Sequence, residues 1–233
     1  MMKVLGIDTS TSCGSIGLVE DGKVISEYLL DRPETHSERV LRGIEFVLKD
    51  AHLSINDIEG WVVSLGPGSF TGLRIGISTI KGLALATQKP VAGVSTLDVL
   101  AFQVSPTPYL ICPIIDARKG EVYTAFYRYD EKNSLKRVSI YKVIKPEELA
   151  HQINEKTLFV GDGIKSYGQY LHKVLPTFAL YPPIAHHLPH GSTLTLLGFE
   201  LLQRGESLDL ASFTPLYIRP SDAELKWQEK QVI

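Results

Sequence analysis

The stretch GPGSFTGLRIG, Gly66 to Gly76, decides the reading of this chain. An apolar strand, Trp61 to Leu65, runs directly into three turn formers, Gly66, Pro67 and Gly68. Ser69 and Thr71 then offer side-chain oxygens to the first free N–H groups of a helix. The spacing predicts that helix over Thr71 to Thr87, with Leu73, Ile77, Ile80 and Ala84 as its buried stripe. The helix is also lined with small residues: Gly72, Gly76, Ser78, Gly82, Ala84 and Ala86. Each glycine inside a helix costs about 1 kcal/mol relative to alanine. Close approach of another backbone compensates that cost, so the helix reads as a docking element. A phosphate loop is the rival reading, because glycines at a helix start cradle anions. The Walker pattern needs lysine and Ser/Thr after its last glycine, and here Leu73 follows Gly72. Nor do the glycines fit G-x-G-x-x-G, since Thr71 occupies the third slot. A tight, capped strand-to-helix turn is the expectation.

The 233 residues carry 24 basic and 26 acidic side chains, a net charge of −2, so no basic field points to nucleic acid. No run approaches the ~18 apolar residues of a membrane span, and no leader is read before the first strand. Cys13 and Cys112 stand alone on strand-like segments and read as buried small hydrophobes of a cytoplasmic protein.

Outward from the central stretch, one plan occurs twice. Residues 2–9 form an apolar strand ending in Asp8, followed by CGSIGLVE, a hairpin turn at Asp21-Gly22, and KVISEYLL. Thr35-His36-Ser37-Glu38 reads as a capping box for a helix to about His52, with Val40, Ile44 and Val47 on one stripe. The strand Ile58 to Leu65 and the glycine-entered helix complete the unit. A strand at Val91 to Val94 and a helix at Thr96 to Gln103 lead to a boundary at SPTP. TPYLICPIID then ends in Asp116, EVYTAFYRY and LKRVSIYKVI form the next two strands, and Pro146 opens a helix. TLFVGDG and the helix Ile164 to Leu175 close the second unit.

This predicts a two-lobed α/β chain of duplicated βββαβα, like the sugar-kinase, Hsp70 and actin (ASKHA) superfamily without large inserted domains. The lobes are expected at 1–104 and 105–233, the second including a final helix at Gly191 to Gln203 and the tail. In active members of that superfamily, paired aspartates face each other across a metal–phosphate cleft. Asp8 and Asp116, with Gly161 and Gly163 after the TLFV strand, are the cofactor candidates here. A strand-end aspartate also caps its own turn, and Asp116 beside Arg118 also suits a surface ion pair. Among the histidines, His186 and His190 share a four-residue offset, but Pro189 opposes a helix and no cysteine is near, so no metal site is expected. Zincin, nucleophile-elbow and C-x-x-C signatures are missing. Tyr123, Phe126, Tyr127 and Tyr129 read as strand packing.

Five blocks now carry a resemblance: LGIDTST, GPGSFTGLRIG, GVSTLDVLA at Gly93 to Ala101, IDARKGEVY at Ile115 to Tyr123, and PLYIR at Pro215 to Arg219. In order and over nearly the whole chain, they resemble the TsaB (YeaZ) family. The resemblance implies a role in N6-threonylcarbamoyladenosine formation at position 37 of tRNAs reading ANN codons. It implies a non-catalytic scaffold for the transferase TsaD, joined by the ATPase TsaE, with TsaC making the threonylcarbamoyl-adenylate. Docking is implied through two first-lobe helices, here Ser37–His52 and Thr71–Thr87, with a homodimer when TsaD is absent. The interface candidates are Val40, Ile44, Val47, Thr71, Gly72, Arg74, Ile75, Gly76, Ser78 and Thr79. TsaD binds its catalytic metal with a histidine pair. Thr96 and Leu100 stand at those positions here, and neither ligates as imidazole does.

No tightly bound cofactor is expected, with Mg and ATP entering through partners, and tRNA only through the complex. Lys226 and Lys230 are the single hint of direct RNA contact. The alternative function is an ASKHA-class small-molecule kinase or ATPase using Asp8 and Asp116.

Overall fold

A computed structural model describes residues 1–32 and 36–219. The first sheet contains β1 (Lys3–Asp8), β2 (Gly14–Glu20), β3 (Lys23–Leu30), β4 (Gly60–Gly66) and β5 (Val91–Ser95), in the order β3-β2-β1-β4-β5. The strands β1 to β3 are antiparallel, whereas β4 and β5 run parallel to β1. Asp21 (φ 46°) and Gly22 (φ 77°) form the tight turn between β2 and β3, the left-handed pair that suits strand twist. Helices α1 (His36–Asp50) and α2 (Phe70–Thr87) cover one face of this sheet, packing Val40, Ile44, Val47, Ile77 and Ile80 on Leu5, Ile7, Trp61 and Val63. The capping box expected at Thr35 to Glu38 includes residues outside those described, as do Lys226 and Lys230.

The second sheet repeats the order: β10 (Lys142–Ile144), β7 (Val122–Thr124), β6 (Leu110–Asp116), β11 (Thr157–Val160) and β12 (Ala179–Leu180). Here the expectation of two continuous strands is corrected. EVYTAFYRY breaks into β7 and β8 (Tyr127–Tyr129), and the return strand breaks into β9 (Leu135–Arg137) and β10. Both β7 and β8 pair with β6, so the ribbon bends between them. At the bend the Phe126 N–H donates to Ser139 Oγ (2.8 Å), a side chain standing in for a ladder carbonyl. Helices α4 (Pro146–His151) and α5 (Ile164–Val174) cover this sheet around Cys112, Ile114 and Phe159.

The lobe boundary also needs correction. Helix α3 (Thr96–Phe102) follows β5 in sequence but packs Leu97, Leu100 and Ala101 on Ile111, Ile115 and Val160 of the second sheet. Its Asp98 accepts the hydroxyls of Tyr127 (2.6 Å) and Tyr141 (2.8 Å), tying it there. Helix α6 (Gly191–Gln203) crosses the other way, setting Leu194, Phe199 and Leu202 against Val4, Val19, Val62 and Ala92 of the first sheet. A Cβ on Gly191 would lie 2.5 Å from the Ile16 carbonyl carbon, so only glycine permits this approach. Beyond α6, Leu208 donates its N–H to Val91 O (2.7 Å) and Phe213 enters the first-lobe core. Residues 105–219 are therefore no separate lobe. The repeating unit is one strand and one helix longer than the sequence suggested, and its last helix is exchanged. β1 and β4 are consequently buried on both faces, which explains their unbroken apolar runs.

Candidate docking face and interlobe cleft

Helix α2 begins one residue earlier than expected, and Ser69 caps it by accepting the Gly72 N–H (3.2 Å). Its small residues divide into two sets. Gly72 and Gly76 face the chain's own β1–β2 turn: Thr9 Oγ1 donates to Gly72 O (2.7 Å), and a Cβ on Gly76 would meet that oxygen at 2.4 Å. Ser78, Gly82 and Ala86 face outward, with Thr71 and Arg74 before them and Leu85, 67% exposed, beside them. On neighbouring α1, Leu41 (63% exposed) and Phe46 (51%) stand outward between Arg42, Glu45 and Lys49.

Five interface candidates are thereby corrected. Val40, Ile44, Val47, Gly72 and Gly76 are sealed inside the chain, because the apolar stripe that marks a helix in sequence is the stripe its own sheet uses. Thr71, Arg74 and Ser78 are exposed, and Ile75 and Thr79 are half-buried on the same surface. Gly82, one of the small residues that mark α2 as a docking element, is exposed on this face, whereas sequence reasoning did not single out Leu41, Phe46 or Leu85 as exposed apolar residues.

Between the lobes lies a cleft of about 900 Å³, lined by the Ser10–Ser12 turn, the start of α2, Asp116 to Lys119, Asp162, Lys165 and residues 216–219. Asp116 is on its wall. Its Oδ1 accepts the Arg118 N–H (2.8 Å), and its N–H donates to Asp162 Oδ1 (3.2 Å). Burial lifts the Asp162 carboxyl to about 6; the N–H of Asp116 opposes that shift and the Asp116 charge adds to it.

Asp8 does not reach the cleft. It is fully buried, with Oδ1 accepting both the N–H (2.9 Å) and the hydroxyl (2.7 Å) of Ser10, while Oδ2 has no partner. Burial pushes its pKa up, the signature of a carboxyl that favours the neutral form. The Ser69 N–H closes on Ser10 O (2.6 Å), sealing the turn above it. Gly161 and Gly163 are likewise packing residues: a Cβ on either would lie 2.3 or 2.9 Å from Ile114 O. A magnesium–nucleotide of the kind this architecture holds in other proteins therefore does not fit these residues, since one of the two carboxylates is roofed over and bound to its own turn.

Thr96 and Leu100 are both buried. Thr96 Oγ1 pairs with Ser64 Oγ (2.7 Å), and Leu100 packs in the second-lobe core. Outside these positions, His186 Nδ1 lies 3.1 Å from Gln103 O, and His190 meets Glu27. Both cysteines are buried and unpaired.

Two lobes with matched sheets, exchanged helices and a cleft between them define an actin-like (ASKHA) fold. An activator of 2-hydroxyisocaproyl-CoA dehydratase from Clostridium difficile, solved with bound ADPNP, shares that fold. Its TM-score is 0.55 at 11% identity, covering 88% of this chain and 97% of its own. Within the class, a family model described as TsaD, tRNA N6-adenosine threonylcarbamoyltransferase, matches residues 29–227. The tRNA threonylcarbamoyladenosine biosynthesis protein TsaB of Bacillus subtilis (strain 168) is 35% identical over 233 residues, 99% of this chain and 100% of the relative. YeaZ from Pseudomonas aeruginosa superposes with a TM-score of 0.79 at 28% identity, covering 93% of this chain and all of that one. The chain belongs to the TsaB (YeaZ) family and has a role in the synthesis of threonylcarbamoyladenosine in tRNA.

Proposed function

We propose that this chain is a non-catalytic partner that docks TsaD through the outer faces of α1 and α2, with TsaE joining the pair. TsaD so held forms N6-threonylcarbamoyladenosine at position 37 of tRNAs reading ANN codons. The observation carrying this reading is the outward face of α2, where Ser78, Gly82, Leu85 and Ala86 are exposed together, with Leu41 exposed on neighbouring α1. Small and apolar side chains at helical spacing along α2 let a second helix approach closely and exclude water. Without TsaD, two copies of this chain pair through the same face. The absence of catalysis is supported by Thr96 and Leu100, whose donor chemistry suits no transition metal. The sealed Asp8 argues the same way for phosphoryl transfer. Neither nucleotide nor magnesium is held tightly by this chain; both enter through partners, and tRNA binds only the assembled complex. The assembly works in the cytoplasm, and no helix among the described residues is long and apolar enough to cross a membrane.

Reconstitution tests this directly. Purified TsaC, TsaD and TsaE with unmodified tRNA should form the modified nucleoside only when this chain is added, and Ser78→Glu should abolish its effect. Full modification without the chain, or modification by the chain with no TsaD, would overturn the reading.

A further inference from the structure

Residues 216–219 fasten both lobes to the start of α2. The Leu216 N–H donates to Leu65 O (2.8 Å) at the end of β4. Tyr217 comes next: its ring centroid lies 5.7 Å from that of Phe70, and its hydroxyl accepts from Arg74 Nε (3.2 Å). The Arg74 guanidinium lies over the Phe70 ring, 3.7 Å from its centroid. Arg219 then reaches the second lobe, donating through Nη1 to Ala117 O (2.9 Å) and through Nη2 to Glu121. Ala117 and Glu121 flank Arg118, Lys119 and Gly120, whose φ values are 59°, 55° and 77°. A non-glycine residue in this left-handed region is strained, and such a turn persists only when its surroundings hold it. Arg219 bonds to both ends of it.

The arrangement prepares Arg74 for a particular kind of contact. Its Nε is committed to Tyr217 and its plane is stacked on Phe70, so its rotamer freedom is already reduced. Its two terminal nitrogens have no acceptor among the described residues, and the side chain stands exposed where the α2 face meets the interlobe cleft. A planar guanidinium held this way matches a carboxylate through two parallel N–H···O bonds. We infer that the Leu216–Arg219 segment is a positioning strap that fixes Arg74 as a charged anchor of the docking face, and that the partner presents a carboxylate to it. This rests on the reading that α1 and α2 dock TsaD.

The test separates strap, anchor and docking. Hydrogen exchange on the isolated chain should quicken about tenfold over residues 69–75 in Arg219→Ala, and more weakly in Tyr217→Phe, which keeps the ring and drops only the hydroxyl. Unchanged exchange there in both variants overturns the strap. Titration of TsaD should show affinity for Arg74→Ala reduced about tenfold, with a shallower salt dependence than wild type. Arg74→Lys should not restore it, because a lysine can neither stack nor fork. Wild-type affinity in Arg74→Ala, with docking otherwise intact, overturns the anchor and leaves the docking reading standing. No wild-type affinity for TsaD overturns anchor and docking together, while the exchange measurement still decides the strap.

Discussion

The two lobes build the same outer layer from different surfaces. In each, two helices cover a sheet of matching strand order. On α4 and α5 the exposed positions are Glu147, Glu148, His151, Lys165, Ser166, Gln169, His172 and Lys173, with Val174 at the end. On α1 Leu41 and Phe46 stand exposed among charged residues, and on α2 Ser78, Gly82, Leu85 and Ala86 form an exposed uncharged row. The inner faces are alike in kind: both are apolar stripes buried to the same degree. Duplication thus preserved what each sheet requires and left the solvent side free to diverge, so a function specific to one lobe is written on its outer face.

The largest effect should come from breaking that asymmetry. Gly82 has open space around it, so Gly82→Arg is accommodated, and it should weaken TsaD binding about 100-fold, the scale of a central hot spot. Gln169→Arg, on the equivalent helix of the second lobe, should leave binding unchanged. Isothermal titration of both variants, with melting curves to verify folding, decides it. Equal losses would remove the contrast between lobes.

The next effect concerns what unites the lobes. Because α3 and α6 are exchanged, neither lobe retains its core if the other unfolds. Gly191→Ala forces a methyl into the backbone of β2 and should cost about 2–3 kcal/mol. Calorimetry should show one transition moving to lower temperature as a whole. Two separated transitions would mean the lobes are independent after all.

The exchange also marks the limit of sequence reading. The strand–helix order of the first unit, the Asp21-Gly22 turn, the Ser69 cap and the stripe Leu73, Ile77, Ile80 and Ala84 follow from local propensity and periodicity, and all stand in the structure. Helix α6 is equally plain as a helix, yet nothing periodic in it names the sheet it covers. That choice lies in Gly191 and Gly17, 174 positions apart in the numbering of their contact. Arg219 and Glu121 belong to two recognisable blocks but meet only in three dimensions. Gly76 was misread for the same reason: a small residue announces close approach without saying whether the neighbour is Thr9 or another molecule.

The strand-end aspartates offer a third contrast. Asp8 is buried with an unpartnered oxygen, and Asp116 lines the cleft. A carboxyl whose folded pKa is raised holds its proton longer in the folded state, so stability falls as pH rises from the unfolded value of 3.8 through the folded one. Asp8→Asn keeps an acceptor for Ser10 and removes the charge. It should stabilise by about 1 kcal/mol at pH 8 and by less at pH 4. It should also leave tRNA modification intact. Asp116→Asn should change stability little. A loss of modification in Asp8→Asn alone would restore an enzymatic role to that carboxylate.

The smallest effect lies where α6 meets β3. His190 places Nδ1 3.1 Å from Glu27 Oε2 and Nε2 3.2 Å from Ala185 O, so both ring nitrogens face acceptors and both bonds need the imidazolium. Glu27 also accepts the Ser192 N–H (2.8 Å) in the first turn of α6. The hydrogen bond from His190 to Glu27 raises the His190 pKa. Burial pushes Glu27 up, but its bonds to His190 and Ser192 outweigh that and hold it low. The histidine's contribution is complete below its unfolded value of 6.5 and is lost as pH rises through the raised folded value. The glutamate's is complete above 4.5 and is lost as pH falls through the depressed one. The two overlap between those unfolded values. His190→Gln should therefore lower stability most between about pH 4.5 and 6.5, by under about 1 kcal/mol for so partly exposed a pair, with the deficit fading above the folded His190 pKa. Denaturant midpoints of wild type and variant across pH 4 to 9 measure it. A deficit that is flat with pH would mean that the packing of the ring, and not its charge, holds α6 to the first lobe.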